Sequence, residues 1–489
     1  MRINKISTSW RNLSLQNLSL QNLKASSSTL LLAMLAASLL SACSNLSAGN
    51  LFSTYSSQVS DAHSDVTAGD YSSAESELED TEYGGPVLSN MEKGRVSFLA
   101  KNYPTSFESF QLSDEAYAEL ADRATISLSA EADKTGSLAT NDNLITYEPA
   151  DYELGYLHLY LGLNYLQKND LEGALVEMRR ANQVQEKAQK RRQADLLSAQ
   201  QEMSKNGIKP NLGSVLSQYP DAGKTLQAVQ NGYLYFLSGT LFEADKQLND
   251  AYIDYKRALA INPKNQQIID ATLRLAKRLG MGQDLRALTR QYGNPTQVPS
   301  GKGQVVIVDE QGVVAQRGSW RLSLPIVNSS GYIKLYNVAL PVYQNVRVQN
   351  FSPLQIDQQS LKSSLLADTN LMAQRDLKER IPSMVLRQGL RLYVKDVIRH
   401  QAVRNDDTGI ANLVVNIWNI TTEQPDTRSW QTLPARVYSS SVNLSAGDHT
   451  IQVGGQAFPV KVQANKRTFV WLSRQGDSVT IWSKQLGSL

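Results

Sequence analysis

The sequence predicts an α + β protein of two domains: an N-terminal all-α array of helical repeats, then a C-terminal antiparallel β-sandwich-like domain carrying a helical insertion. Three observations carry this. Segments that open Gly155-Tyr156-Leu157-His158 and Gly232-Tyr233-Leu234-Tyr235 repeat one helical pattern. From Gln304 the apolar period shifts to two, as in Val306-Val308, Leu322-Leu324 and Val346-Val348. The charge balance reverses at the same point: residues 43–300 hold 24 basic and 33 acidic side chains, and residues 301–489 hold 21 and 13. The halves carry −9 and +8, which places a boundary near Pro299-Ser300-Gly301-Lys302-Gly303 and implies that they attract each other or face different partners.

The chain begins with a basic leader (Arg2, Lys5, Arg11, Lys24, no acidic residue before Cys43) and an apolar run from Leu30 to Leu40, too short to span a bilayer as a helix. The run ends in Leu40-Ser41-Ala42-Cys43, and Cys43 is the only cysteine of 489 residues. This resembles the lipobox of bacterial lipoproteins. The resemblance implies cleavage after residue 42, acylation of Cys43 (palmitate among the chains) and anchorage on a membrane. Ser44 after the cysteine implies the outer membrane, with the protein facing the periplasm. Three acyl chains would hold it far more firmly than one. With Cys43 lipidated no disulfide can form. A Ser-rich tether, residues 43–57, is expected to lead into the folded part.

The first domain is expected over residues 58–298. In each clear repeat a glycine of one helix is followed twelve positions later by an alanine of the next: Gly162 with Ala174, and Gly239 with Ala251. Small residues belong where two helices cross closely. The second copy continues Tyr235, Gly239, Phe242, Ala251, Tyr255, Ala258, Pro263; the first has His158 and Met178 in place of aromatics. A weaker copy runs from Gly94 through Ser106 to Phe110, and Gly69-Asp70-Tyr71-x2-Ala74 has the look of another turn. The pattern resembles the tetratricopeptide repeat. That resemblance implies a concave surface for a protein partner, lined by helical phase with Tyr156, Leu159, Leu163, Tyr233, Phe236 and Thr240. Packing of the same residues against neighbouring helices or the second domain is the plainer reading.

The β-rich domain is expected over residues 299–489, with strands at Leu413 to Trp418 and from Arg436 onward, and tight hairpins at Gly447-Asp448 and Gly454-Gly455. A helical block over 359–403 interrupts it. Pro382 is placed in a first turn, where proline is tolerated, and Leu386, Leu390, Tyr393, Val394 and Val397 form the apolar face. Arg387, Arg391, Lys395 and Arg399 recur every four residues, a stripe spanning about 18 Å at roughly 1.5 Å per residue. It suits anionic glycan, lipid headgroups or an acidic protein surface; a solvated face, or one paired with the acidic first half, is the plainer reading.

No active site is legible. The four histidines (His63, His158, His400, His449) are scattered, no metal-ligand spacing occurs, and there is no nucleophile elbow. No cofactor or metal is expected, Gly301-x-Gly303 reads as a linker, and the exported location disfavours nucleic acid. Across most of its length the chain is similar to a family of largely uncharacterised proteobacterial outer-membrane lipoproteins with tetratricopeptide-like repeats. The similarity rests on Asn231-Gly232-Tyr233, Ala251-Tyr252-Ile253-Asp254-Tyr255, Leu340-Pro341-Val342-Tyr343, Glu379-Arg380-Ile381-Pro382 and Asp426-Thr427-Arg428-Ser429-Trp430. It implies the company of lipoproteins that activate peptidoglycan synthases. The expected function is a lipid-anchored scaffold that binds another envelope protein through its repeats. The alternative is a module that binds peptidoglycan or another anionic glycan through the basic helix, and a hydrolase is the least favoured reading.

Overall fold

The computed structural model describes residues 53–79, 84–127, 146–205, 209–210, 226–294, 298–327, 333–343, 346, 349–403 and 424–488. The side chains of 124–127, most of 188–205, 209–210, Lys334 and 393–403 are outside this description. Cys43 and the expected Leu413–Trp418 strand lie outside the described residues.

Helices come first: α1 (Tyr55–Gln58), α2 (Ser60–Ala68), α3 (Tyr71–Glu79), α4 (Gly85–Leu99), α5 (Tyr103–Ser127), α6 (Asp151–Gln167) and α7 (Leu171–Lys205). After the two-residue strand β1 (Lys209–Pro210) follow α8 (Leu226–Val229), α9 (Gly232–Ala244), α10 (Leu248–Ile261), α11 (Gln266–Arg278) and α12 (Gly282–Tyr292). Five helix pairs share one corner. The residues Gly69, Lys101, Asn169, Lys246 and Gly280 all have φ between 59° and 82°. In each corner the amide after that residue bonds back five positions: Asp70 to Asp65, Asn102 to Ser97, Asp170 to Tyr165, Gln247 to Phe242, Met281 to Ala276. This left-handed closure satisfies carbonyls that a helix end leaves free. The glycines of the first helices lie where expected. A Cβ on Gly94 would stand 2.7 Å from the Phe110 ring, one on Gly162 2.7 Å from Met178 Cε, and one on Gly239 3.0 Å from the Tyr255 ring. Each contact spans sixteen positions, so Met178 does the work of an aromatic.

The β half contains β2 (Lys302–Gln311), β3 (Gly318–Val327), β4 (Ile333–Val342), β5 (Gln355–Ile356), β6 (Gln359–Ser360), β7 (Ser364–Asp368), helix α13 (Thr369–Val403), then β8 (Arg436–Ser445), β9 (Gly447–Val453), β10 (Gln456–Val462), β11 (Lys466–Gln475) and β12 (Ser478–Ser488). A five-stranded sheet runs β12-β11-β2-β8-β7 and a four-stranded sheet β10-β9-β5-β6; β1-β3-β4 form a third. The expected sandwich is present. Val305, Ile307, Val470 and Leu472 face the four-stranded sheet, where Ile356, Ile451, Val453, Val460 and Val462 complete that core. Alternate residues Val306, Val308, Phe469 and Trp471 face the helices, as the period of two requires.

Several expectations need correction. The sheet is mixed, because β2 and β11 run parallel. Gly447-Asp448 is no hairpin: β8 and β9 belong to different sheets, and Gly447, at φ 145°, turns the chain from one to the other. Gly454-Gly455 is the expected two-residue hairpin, both φ positive. The helical block starts at Thr369, not 359; residues before it form β6 and β7, and Asp368 Oδ1 accepts the Leu371 amide as an N-terminal cap. Pro382 therefore lies inside the helix, not in its first turn. The tether also ends early, since Tyr55 is buried and its hydroxyl donates to Glu92.

The change of pattern near residue 299 does not separate two cores. Residues from Ala48 onward form one compact unit, and one apolar cluster takes in Phe98, Tyr160 and Leu237 of the helices with Val306, Phe469 and Trp471 of the sheet. Strand β12 crosses successive helix corners: Ser478 Oγ donates to Gly69 O, Thr480 Oγ1 to Leu99 O, and Lys484 Nζ to Gln167 O and Asn169 Oδ1.

Candidate functional site

The residues expected to meet a partner on the inner face of the repeats are buried within their own chain. Tyr156, Leu159, Leu163 and Tyr233 are fully buried, and Phe236 and Thr240 nearly so. The Tyr156 hydroxyl is 2.9 Å from Thr369 Oγ1, and the Tyr233 hydroxyl donates to Glu310 Oε1 at 3.1 Å. Tyr156, Leu159, Leu163 and Tyr233 are core, the plainer of the two readings, while Phe236 and Thr240 border a cavity.

The centre of this junction is charged. Arg95 of α4 and Glu310 of β2 pair at 2.7 Å with both side chains wholly buried. Glu310 also accepts from Tyr160, Tyr233, Trp471 and Ser473. Burial works against the Arg95 charge, but Glu310 outweighs it and holds the guanidinium above its ordinary pKa. Closed off from solvent, this cluster has no access for a ligand.

Next to it runs residues 425–435, a buried stretch without regular structure. Such a segment must find partners for its amides. Two helix carboxylates provide them: Glu153 accepts from Trp430 N, and Glu92 from Gln431 N, Thr432 N and Thr432 Oγ1. Burial raises Glu92 to about 7 despite these donors. Arg428 is held by Asp426, and its carbonyl accepts from Arg317. The segment that holds Asp426–Trp430 is thus a structural strap that ties the return from α13 to the helices.

The basic stripe of α13 is not a uniform open face. Arg387 is exposed, but Arg391 retains 2% exposure; the side chains of Lys395 and Arg399 lie outside the described set. The two described arginines point to different environments because the helix packs against β4, where Gln388 donates to Ala339 O.

A cleft of about 750 Å³ opens at the edge of the same junction, between α9, α10 and α11, the β2–β8 face and the segment Gln359–Ser364. Phe236, Thr240 and Tyr255 form its apolar side, so two of the expected partner-binding residues do reach a cavity. Glu243 sits behind them. Arg467 bonds Glu243 at 2.9 Å, Arg274 bonds it through both terminal nitrogens, and Tyr255 donates to it at 3.2 Å. Burial opposes ionisation of Glu243, but the two guanidiniums outweigh it and lower its pKa to about 2. Asp270 lines the same wall, so the two guanidiniums face two carboxylates, and the one excess cation of the cleft is Lys362, exposed at the rim. Besides these charged groups, amides and hydroxyls line the cleft, among them Gln267, Gln304, Ser441 and Asn443.

The cleft sits in a fork. Strand β7 pairs with β8 only from Arg436 to Ser439, whereas β2 pairs with β8 along its whole length. Beyond Ser439 the β8 edge has no neighbouring strand among the described residues, and Ser441, Val442 and Asn443 line the cavity there. Sequence reasoning missed Arg274, Arg467 and Lys362. The one visible signal was Arg467 at the head of the apolar run Thr468–Leu472.

No protein-family model matches the chain. No curated protein matches it. Among solved structures it is similar to MamA, at 11% identity over 47% of this chain and 90% of that one, with a TM-score of 0.25. A second MamA structure aligns at 10% identity, 50% and 98% coverage and TM-score 0.26. A tetratricopeptide repeat protein from Parabacteroides merdae aligns at 12% identity, 50% and 81% coverage and TM-score 0.19. Among the described residues no group of three or more His, Cys, Asp or Glu side chains is placed to hold a metal, and no helix is long and apolar enough to cross a membrane.

Proposed function

We propose that the protein is a binding scaffold of the cell envelope, held to the outer membrane by lipid on Cys43 and facing the periplasm, and that it engages another envelope protein through the cleft at the α11–β8 fork. The observation that carries this is the cleft itself: polar, with Lys362 as its one excess cation, and bordered by a strand edge that has no neighbouring strand among the described residues. Recurring helix pairs build one wall, and of the residues expected on their inner face Phe236 and Thr240 reach this cleft. The role is binding, without turnover. The glycan-binding alternative through α13 is less favoured, because Arg391 is buried.

In-cell photocrosslinking tests the binding reading. A photoreactive residue in place of Lys362 is expected to trap one discrete envelope protein, and one in place of Ile253, exposed on the outer side of α10, is not. Equal trapping at both positions, or none at Lys362, contradicts it. The anchor is tested separately: Cys43→Ala should release the protein from the membrane fraction.

A further inference from the structure

Resting on the cleft reading, we propose that its occupant is an extended peptide segment with a carboxylate side chain, which adds as a new strand to the edge of β8 at Ser441–Ser445, beside which no strand lies among the described residues. Three observations converge on this class of partner. A strand edge exposes every second amide and carbonyl to whatever lies beside it, and here β7 leaves β8 after Ser439 instead of covering it. The cavity fills the gap between the diverging chains, lined on one side by Gln359–Ser364 and on the other by Ser441–Asn443. In addition, Asn443 Oδ1 is buried with no hydrogen-bond partner among the described residues; a buried polar atom left so calls for a donor, which a peptide amide supplies.

The alternation of the sheet fixes what the peptide side chains meet. Ser441 pairs with Val306, whose side chain faces the helices, while Val442 and Leu444 pack toward the four-stranded sheet. Alternate side chains of an added strand therefore face the helix wall, where Arg274 and Arg467 are balanced by Glu243 and Asp270 and the cation left over is Lys362 at the rim. A carboxylate on the added strand within reach of Lys362 neutralises that excess charge. The intervening side chains face Leu361 and suit apolar groups. Main-chain pairing provides affinity and the alternating pockets provide selectivity in this mode of recognition.

The test uses the full-length protein in detergent and a fluorescein-labelled peptide, Val-Thr-Val-Glu-Val-Thr-Val, read by fluorescence anisotropy. Saturable binding is expected. Replacing its Glu by Gln, or Lys362→Glu in the protein, should weaken it roughly tenfold, the scale of one lost charged hydrogen bond. Two backbone-methylated peptides give the decisive readout. Methylation of one alternate set of amides should abolish binding, while methylation of the other set, which faces away from β8, should leave it within about threefold. Equal sensitivity to both sets, or no binding of the parent peptide, overturns the strand-addition inference. If crosslinking at Lys362 still traps a protein in that event, the cleft reading stands without it; if it traps none, both fall.

Discussion

Arg95 and Glu310 lie 215 positions apart, yet they form a 2.7 Å ion pair with no exposure of either side chain, joining α4 to the central strand β2. The pair is enclosed by Tyr160, whose ring lies 4.6 Å from the guanidinium, and by Trp471. Breaking one partner strands the other charge in the core, at a cost of about 3–5 kcal/mol. Glu310→Gln should therefore lower unfolding free energy by about that amount in urea titrations. The double variant Arg95→Met, Glu310→Leu should be less destabilised than either single change.

Two buried carboxylates give opposite pH responses. Glu92 has a folded pKa of about 7 against an ordinary 4.5. Its contribution is full below pH 4.5, falls as pH rises because the fold keeps a proton the unfolded chain releases, and is lost above 7. The slope should be on the order of 1 kcal/mol per pH unit. Glu243, at about 2, stabilises above pH 4.5 and loses that stabilisation as pH falls through 2. Denaturant titrations across pH 4 to 8 should show the Glu92 slope in the wild type. Glu92→Gln should be less stable throughout, since it replaces an acceptor oxygen by a donor, and should lack that slope.

Glycines in the first helices should not respond alike to alanine. At Gly94 the added Cβ meets the Phe110 ring at 2.7 Å, but at Gly155 the nearest atom is Leu234 Cδ1 at 3.4 Å. Gly94→Ala should cost about 1–3 kcal/mol by overpacking. Gly155→Ala should gain up to about 1 kcal/mol from helix propensity. Thermal melts of the two variants check the contrast; a loss at Gly155 as large as at Gly94 would contradict the packing described.

Strand β12 reads the helix corners through single hydrogen bonds. Thr480 is buried and donates to Leu99 O at 2.7 Å, so Thr480→Val should cost about 1 kcal/mol, with an unsatisfied carbonyl left behind. Ser323→Ala, on the exposed β3–β4 hairpin, should lie within about 0.5 kcal/mol of the wild type.

The repeats were legible because their determinants are local. Gly162, Ala174 and Met178 lie within one helix pair, and the steric demand between them sets their spacing. Strand alternation was legible for the same reason, since Val306 and Val308 differ from Val305 and Ile307 only in the face they present. What escaped were relations at long range. Trp430 was among the residues that carry the family similarity, but the carboxylate that accepts its amide is 277 positions away on α6, and nothing near Trp430 names it. The inner face of the array was read as a groove because helical phase cannot say whether a face meets a partner or the sheet that follows in the same chain. The cleft was invisible for a related reason: Arg274, Lys362 and Arg467 come from three separate elements. The β7 register that opens the fork ends at Ser439 through a β7 only five residues long.

The central claim is that the helical repeats and the sheet form one core, which closes the inner face and leaves the cleft for binding. Equilibrium unfolding in urea tests it most directly. Helical content would be followed by far-ultraviolet circular dichroism, and the sheet by fluorescence of Trp430, Trp471 and Trp482 at the junction. The account predicts one transition, with the same midpoint and slope by both probes. Two separated transitions, with helical signal surviving after the tryptophans are exposed, would contradict it.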